Sequence, residues 1–321
     1  MISISTSHLR ELLEKNESNI STIIGEKEKN VKNFLGDRLI HHSSKKIQKV
    51  NLKNYERAYI KHLAENFREV VLAPPKKLNS LKGDFKGKLN GSVLRKMIVN
   101  ELLRRMGYSG LRKNFYPQFF QELPINTCVY CNSQPAISVT SKNGKRTARF
   151  QVDHFYPKSK YPCFSISFYN LFPSCQPCNG KKGSKKTSFQ LHSNNVNDVK
   201  ESNYKFRLDK KSIIKYKTTG IADSLKIQFT GTGSEEYDKD FDITGIYSTQ
   251  LDIAEELVWM SVIYDKSYLQ SLKNSFQSLY PKKTPMISRL VIGTYTSENE
   301  IHKRPLSKFR QDIARQLGLI D

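Results

Sequence analysis

Residues 150 to 182 read FQVDHFYPKSKYPCFSISFYNLFPSCQPCNGKK, and this stretch sets the expectation for the whole chain. It places the pair Asp153-His154, then Asn170, then Asn179 directly after Cys178. That order suits a single-metal phosphodiesterase site. Hydrolysing a phosphodiester needs a base to activate water, a hard cation to stabilise charge on the phosphate and the leaving oxygen, and a scaffold that holds the base still. His154 is the natural base, because an imidazole titrates near neutrality. Mg²⁺ takes few protein ligands and keeps several waters, so one carboxylate and one amide oxygen, Asp153 and Asn179, meet its demand. Neighbours on a strand point to opposite faces, so base and ligand would separate unless the strand ends or bends there. Pro157 makes such an ending plausible, since proline cannot donate to a strand ladder.

Two Cys-x-x-Cys pairs bracket the motif, Cys128 with Cys131 and Cys175 with Cys178. The spacing is that of two knuckles of a tetrahedral Cys₄ zinc site, with the motif carried in the gap between them. A pair of disulfides is the competing reading. Met1 to Ile20 carries charges throughout with no apolar h-region, and no run approaches a membrane span. A cytoplasmic chain is therefore expected, and in a reducing compartment thiolates bind metal rather than each other. Cys163, between Pro162 and Phe164, reads as a small buried apolar residue.

Over roughly residues 125 to 190 these motifs resemble the HNH nucleases, the zinc-supported branch of the ββα-metal (His-Me finger) superfamily. The resemblance covers about a fifth of the chain and implies an α+β fold: a central ββα-metal core with a structural zinc. It implies that His154 is the general base, that Asp153 and Asn179 bind a catalytic Mg²⁺ (or Mn²⁺), and that Asn170 orients the base. Cys128, Cys131, Cys175 and Cys178 would hold Zn²⁺. The last position is Asn179 rather than histidine, a variation the family accepts. In layout, a central HNH core with unrelated flanks, the chain is also similar to the nuclease subunits of Septu-like bacterial anti-phage systems, which work beside an ATPase. No Walker-type glycine loop occurs here, so any ATPase would be a separate chain.

Composition agrees with a polyanionic partner. The chain has 53 Lys+Arg against 30 Asp+Glu, a formal charge of +23. Residues 132 to 217 hold 17 basic and 4 acidic side chains, whereas residues 235 to 265 hold 9 acidic and 1 basic. The basic cluster includes Lys142, Lys145, Arg146, Arg149, Lys158, Lys160, Lys181, Lys182, Lys185 and Lys186. Lys158, Lys160 and the run from Lys181 to Lys186 are the expected phosphate contacts. Tyr156, Tyr161, Phe164 and Tyr169 are interleaved for packing on sugars or bases. A merely solvated basic face is the alternative.

Three regions are expected: a mainly helical stretch 1–120, a nuclease core with its zinc at 121–200, and a mixed stretch 201–321 ending in helices. Leu52 to Ala73 shows helical periodicity and stops at Pro74-Pro75. Ser92 to Met106 reads as a second helix with Ser92 as N-cap, and Lys76 to Asn90 as a Gly- and Lys-rich connector, solvated or touching DNA. Residues 204 to 230 suggest two or three strands with turns near Asp209-Lys210 and Gly220. Ser248 to Phe276 reads as one helix. The closing segment repeats Leu306, Phe309, Ile313 and Leu317 at core-facing spacing, and an intramolecular seat is expected for it. His302 reads as a surface residue. The function expected is a metal-dependent endonuclease acting on double-stranded DNA as the nuclease effector of an anti-phage system. A catalytically inactive, zinc-stabilised nucleic-acid-binding module is the alternative, and it would have no need of Asp153, His154, Asn170 and Asn179 in register.

Overall fold

The computed structural model describes residues 1–36, 39–41, 47–49, 51–144, 146–279 and 285–321, so Lys145 of the basic cluster lies outside the described residues. The architecture is mixed α+β and helix-rich, and the sheets among the described residues are two-stranded. Buried apolar side chains form one continuous core running from Met1 to Leu319. No helix among the described residues is long and apolar enough to cross a membrane.

The periodic stretch after Leu52 folds as two helices, Asn54–Glu65 and Phe67–Leu72. They bury Tyr59, Ile60, Leu63, Phe67, Val70 and Val71. The expected connector Lys76–Asn90 is instead the helix Pro75–Leu89. Pro75 suits the first helical turn, where its missing N–H costs nothing. Leu78, Leu81 and Phe85 recur on one face and are buried, each contributing about 1.5–3 kcal/mol. Asn90 ends the helix in the left-handed region with φ 47°. The lysines and two glycines on the outer face hid a three-residue apolar stripe. The second expected helix starts later than Ser92, at Lys96, and runs to Arg105.

Residues 204–230 form two antiparallel strands, Tyr204–Leu208 and Ile227–Gly231. The two expected turns are the caps of a helix between them, Lys210–Thr219. The Asp209 carboxylate accepts the Ser212 N–H at 2.9 Å, and Gly220 closes the helix at φ 69°. The long helix expected from Ser248 is broken into Leu251–Ile263 and Lys266–Leu279. The closing helix Ser307–Gln316 packs within the chain, as its spacing implied: the Phe206 N–H donates to Asp312, and Phe309 meets the Phe206 ring edge-on. His302 is buried rather than on the surface, its Nε2 donating to the Ile2 carbonyl at 2.8 Å.

Candidate metal centre and hydrolytic site

The four knuckle cysteines come together. All four are buried and unbridged, and their sulfurs lie within 4.8 Å of one another, with Cys131 and Cys175 4.0 Å apart. A ZnS₄ tetrahedron with Zn–S of about 2.3 Å has sulfur–sulfur edges of ~3.8 Å, so the donor set fits zinc. Hydrogen bonding within the cluster pushes the Cys131 and Cys175 thiols toward the thiolate, the form that binds metal, while burial pushes Cys128 up and the neighbouring sulfurs push Cys178 up. The knuckle is held from several sides. The Val129 N–H donates to the Pro173 carbonyl, the Tyr237 and Tyr247 hydroxyls donate to the carbonyls of Tyr130 and Cys131, and buried Asn132 donates to the Ile301 carbonyl.

Between the two cysteine pairs runs an antiparallel pair of strands, Gln151–His154 and Leu171–Ser174, followed by the helix Gln176–Lys182. Register pairs Asp153 with Phe172 and His154 with Leu171. The first strand ends at His154, as Pro157 led one to expect. Asp153 and His154 are both only 4 % exposed and have different surroundings, as strand alternation requires. Asp153 Oδ2 accepts from the Tyr130 hydroxyl at 2.5 Å, and Lys182 Nζ sits 2.9 Å from Oδ2 and 3.2 Å from Oδ1. His154 lies against the Tyr108 ring, and its Nε2 is 3.0 Å from the Ser165 carbonyl. A carbonyl can only accept, so Nε2 carries the hydrogen and Nδ1 keeps a lone pair. Nδ1 has no hydrogen-bond partner among the described residues. Burial first, then the charge of Lys158, pushes the imidazole pKa down to about 3, so the ring is neutral at working pH.

Asn170 makes no hydrogen bond to the imidazole among the described residues. Its Oδ1 accepts the Tyr156 N–H at 2.7 Å, and its Nδ2 donates to the carbonyls of Phe164 and Tyr156 at 2.9 and 3.2 Å. It closes the loop 155–169, the loop that also presents the Ser165 carbonyl to His154. Asn179 is half-buried on the helix Gln176–Lys182, and its amide makes no hydrogen bond among the described residues. Asp153 and Asn179 thus offer hard oxygen donors from elements packed on each other, the donor type that Mg²⁺ takes.

The basic run divides. Lys181, Lys185, Lys186 and Lys160 are exposed, and Lys158 is half-buried over the Tyr108 ring, 4.0 Å from its centroid. Lys182 is the correction: it is buried against Asp153 and is unavailable to a phosphate at the surface. Tyr156, Phe164 and Tyr169 are also buried, so they belong to the core and not to a stacking platform. Tyr130 and the pairing of Lys182 with Asp153 escaped the sequence reading. Their signals were a bulky aromatic inside a Cys-x-x-Cys knuckle and a lysine three residues after Asn179, on the same helix face.

A segment of 62 residues, 19% of this chain, is 39% identical to the Septu protein PtuB of Bacillus thuringiensis. The match spans 21% of that relative's own length. No family model matches the chain, and no solved structure matches it.

Proposed function

We propose that the chain is a metal-dependent endonuclease of the HNH type that hydrolyses phosphodiester bonds, with double-stranded DNA as substrate, and that it serves bacterial anti-phage defence. The observation that carries the chemistry is the neutral, tautomer-fixed His154 beside the buried Asp153 carboxylate at the end of a hairpin, with Asn179 on the helix that follows. The partial likeness to PtuB supports the defence setting. A separate ATPase subunit is part of that proposal.

His154 would take a proton from the attacking water on Nδ1, the Ser165 carbonyl holding the other ring nitrogen and so the ring's orientation. Asn170 maintains that carbonyl by closing the loop. An anionic phosphate beside the ring would offset the charge of Lys158 as the proton arrives. Asp153 and Asn179 would hold the divalent cation, which when bound supplies charge stabilisation to the phosphate and its leaving oxygen. The Cys₄ cluster and its tyrosine props keep the hairpin in place.

Purified protein incubated with supercoiled plasmid and with single-stranded RNA, each with Mg²⁺, Mn²⁺ or EDTA, tests the reading. Plasmid cleavage that needs the metal is expected, and His154→Ala should lower its rate by about two to four decades while DNA binding persists. Binding without cleavage under any metal would instead make the chain a zinc-stabilised binding module.

A further inference from the structure

Lys182 is the one member of the lysine run that turns inward. Its side chain is 1 % exposed, and its ammonium sits 2.9 Å from Asp153 Oδ2, 3.2 Å from Oδ1 and 2.8 Å from the His154 backbone carbonyl. A carboxylate as buried as that of Asp153 must be paired or lose its charge. The Tyr130 hydroxyl gives it one hydrogen bond, but among the described residues its ion pair is with Lys182. Asn179 and Lys182 are three residues apart on one helix, so their side chains leave it from the same face.

We propose that Lys182 is the resident counter-ion of Asp153 in the metal-free protein, and that a divalent cation gains this carboxylate only against the lysine, which thereby sets the metal concentration at which the site loads. The proposal rests on Asp153 being a metal ligand. The same contact makes Lys182 a positioning residue: with one ammonium it ties the helix to Asp153 and to the main chain of the proposed base, so the Asp-His pair stays placed before any metal arrives. A second cation on the same carboxylate faces the ammonium at short range, in surroundings where screening is weak. That repulsion is the physical source of the threshold.

Mn²⁺ binding to the zinc-loaded full chain, followed by calorimetry and by the loss of the free Mn²⁺ resonance signal, tests this without an activity assay. Mn²⁺ favours oxygen donors and leaves the thiolate site to zinc. Lys182→Gln keeps a donor for the His154 carbonyl while removing the charge, and should bind Mn²⁺ about tenfold tighter or more than wild type. Its melting temperature should also rise further on Mn²⁺ addition than that of wild type. Lys182→Met is the second variant should the first fold poorly, with the same expectation. Asp153→Asn should abolish the binding in every background. If binding depends on Asp153 but is unchanged or weaker without Lys182, the counter-ion proposal is overturned and the metal-site reading stands. If Mn²⁺ binding is absent throughout, or indifferent to Asp153→Asn, the metal-site reading falls and takes the proposal with it.

Discussion

Single residues in this chain are held in protonation states that burial chooses. His192 lies edge-on against the rings of Tyr169 and Phe172, and neither of its ring nitrogens has a hydrogen-bond partner among the described residues. Burial pushes its pKa down from 6.5 to about 3, and that of His302 down to about 4. In both cases the unfolded chain takes up the proton first as pH falls. The stability contributed by the neutral rings is therefore complete above about pH 6.5 and is lost progressively below it. Glu298 behaves with the same sign in a lower window. Burial alone would raise its pKa, but Lys308 and Lys205 hold it down to about 2, so its loss begins only below about pH 4.5. Between pH 6.5 and 4.5 the histidines should dominate. We expect the urea midpoint to fall across that interval, and His192→Phe, which keeps the ring shape and removes the titration, to flatten the fall. An unchanged slope in the variant would remove His192 from the acid response.

At the level of elements, the hairpin and the helix after it have few residues of their own to stand on, and the cysteine cluster supplies the anchor. Structural zinc contributes folding free energy directly, so one zinc per chain should co-purify, and Cys128→Ser or Cys175→Ser should give insoluble or unfolded protein. Soluble, folded protein that elemental analysis shows to lack zinc would rule the site out. These elements were also the most legible ones in the sequence. Two Cys-x-x-Cys pairs can close on one metal only if the intervening chain returns to its start, and the resemblance to the HNH motif implied that it does so through strands. The helix Pro75–Leu89 was illegible for the opposite reason: glycines and lysines fill its outer face, and its stripe of Leu78, Leu81 and Phe85 is sparse. Asp209 and Gly220 were recognised as punctuation, but a residue that caps a helix and one that makes a turn use the same chemistry. The pairing of Lys182 was harder to read than its helix face, because its partner Asp153 lies 29 residues away and only the folded hairpin brings them together.

On the scale of the whole molecule, the flanks frame the site. Ile4–Ser5 pairs with His192–Ser193, and the helix Pro75–Leu89 sends Asn79 to the Tyr156 hydroxyl and Lys82 over the Tyr156 ring. The acidic helix Ser234–Phe241 packs on the helix Gln176–Lys182, and the Asp242 carboxylate that follows it lies 3.6 Å from Lys181. The positive field is thus bounded on one side by acidic groups and left open along Lys185, Lys186 and Lys160. Lysine binds phosphate as a point charge and reads no base edge, so affinity for DNA should fall steeply with salt and depend little on sequence. Replacing Lys181, Lys185 and Lys186 together by Ala should weaken binding about equally for unrelated duplexes. If each meets one phosphate, the slope of log K against log salt should flatten by about 2.7. Lys182 is left intact in this variant because its charge serves Asp153 inside the fold, so the zinc content and Mn²⁺ affinity should not change. A triple variant that binds random duplexes as wild type does while losing one preferred sequence would mean that the run reads bases, and the electrostatic account of the surface would fail.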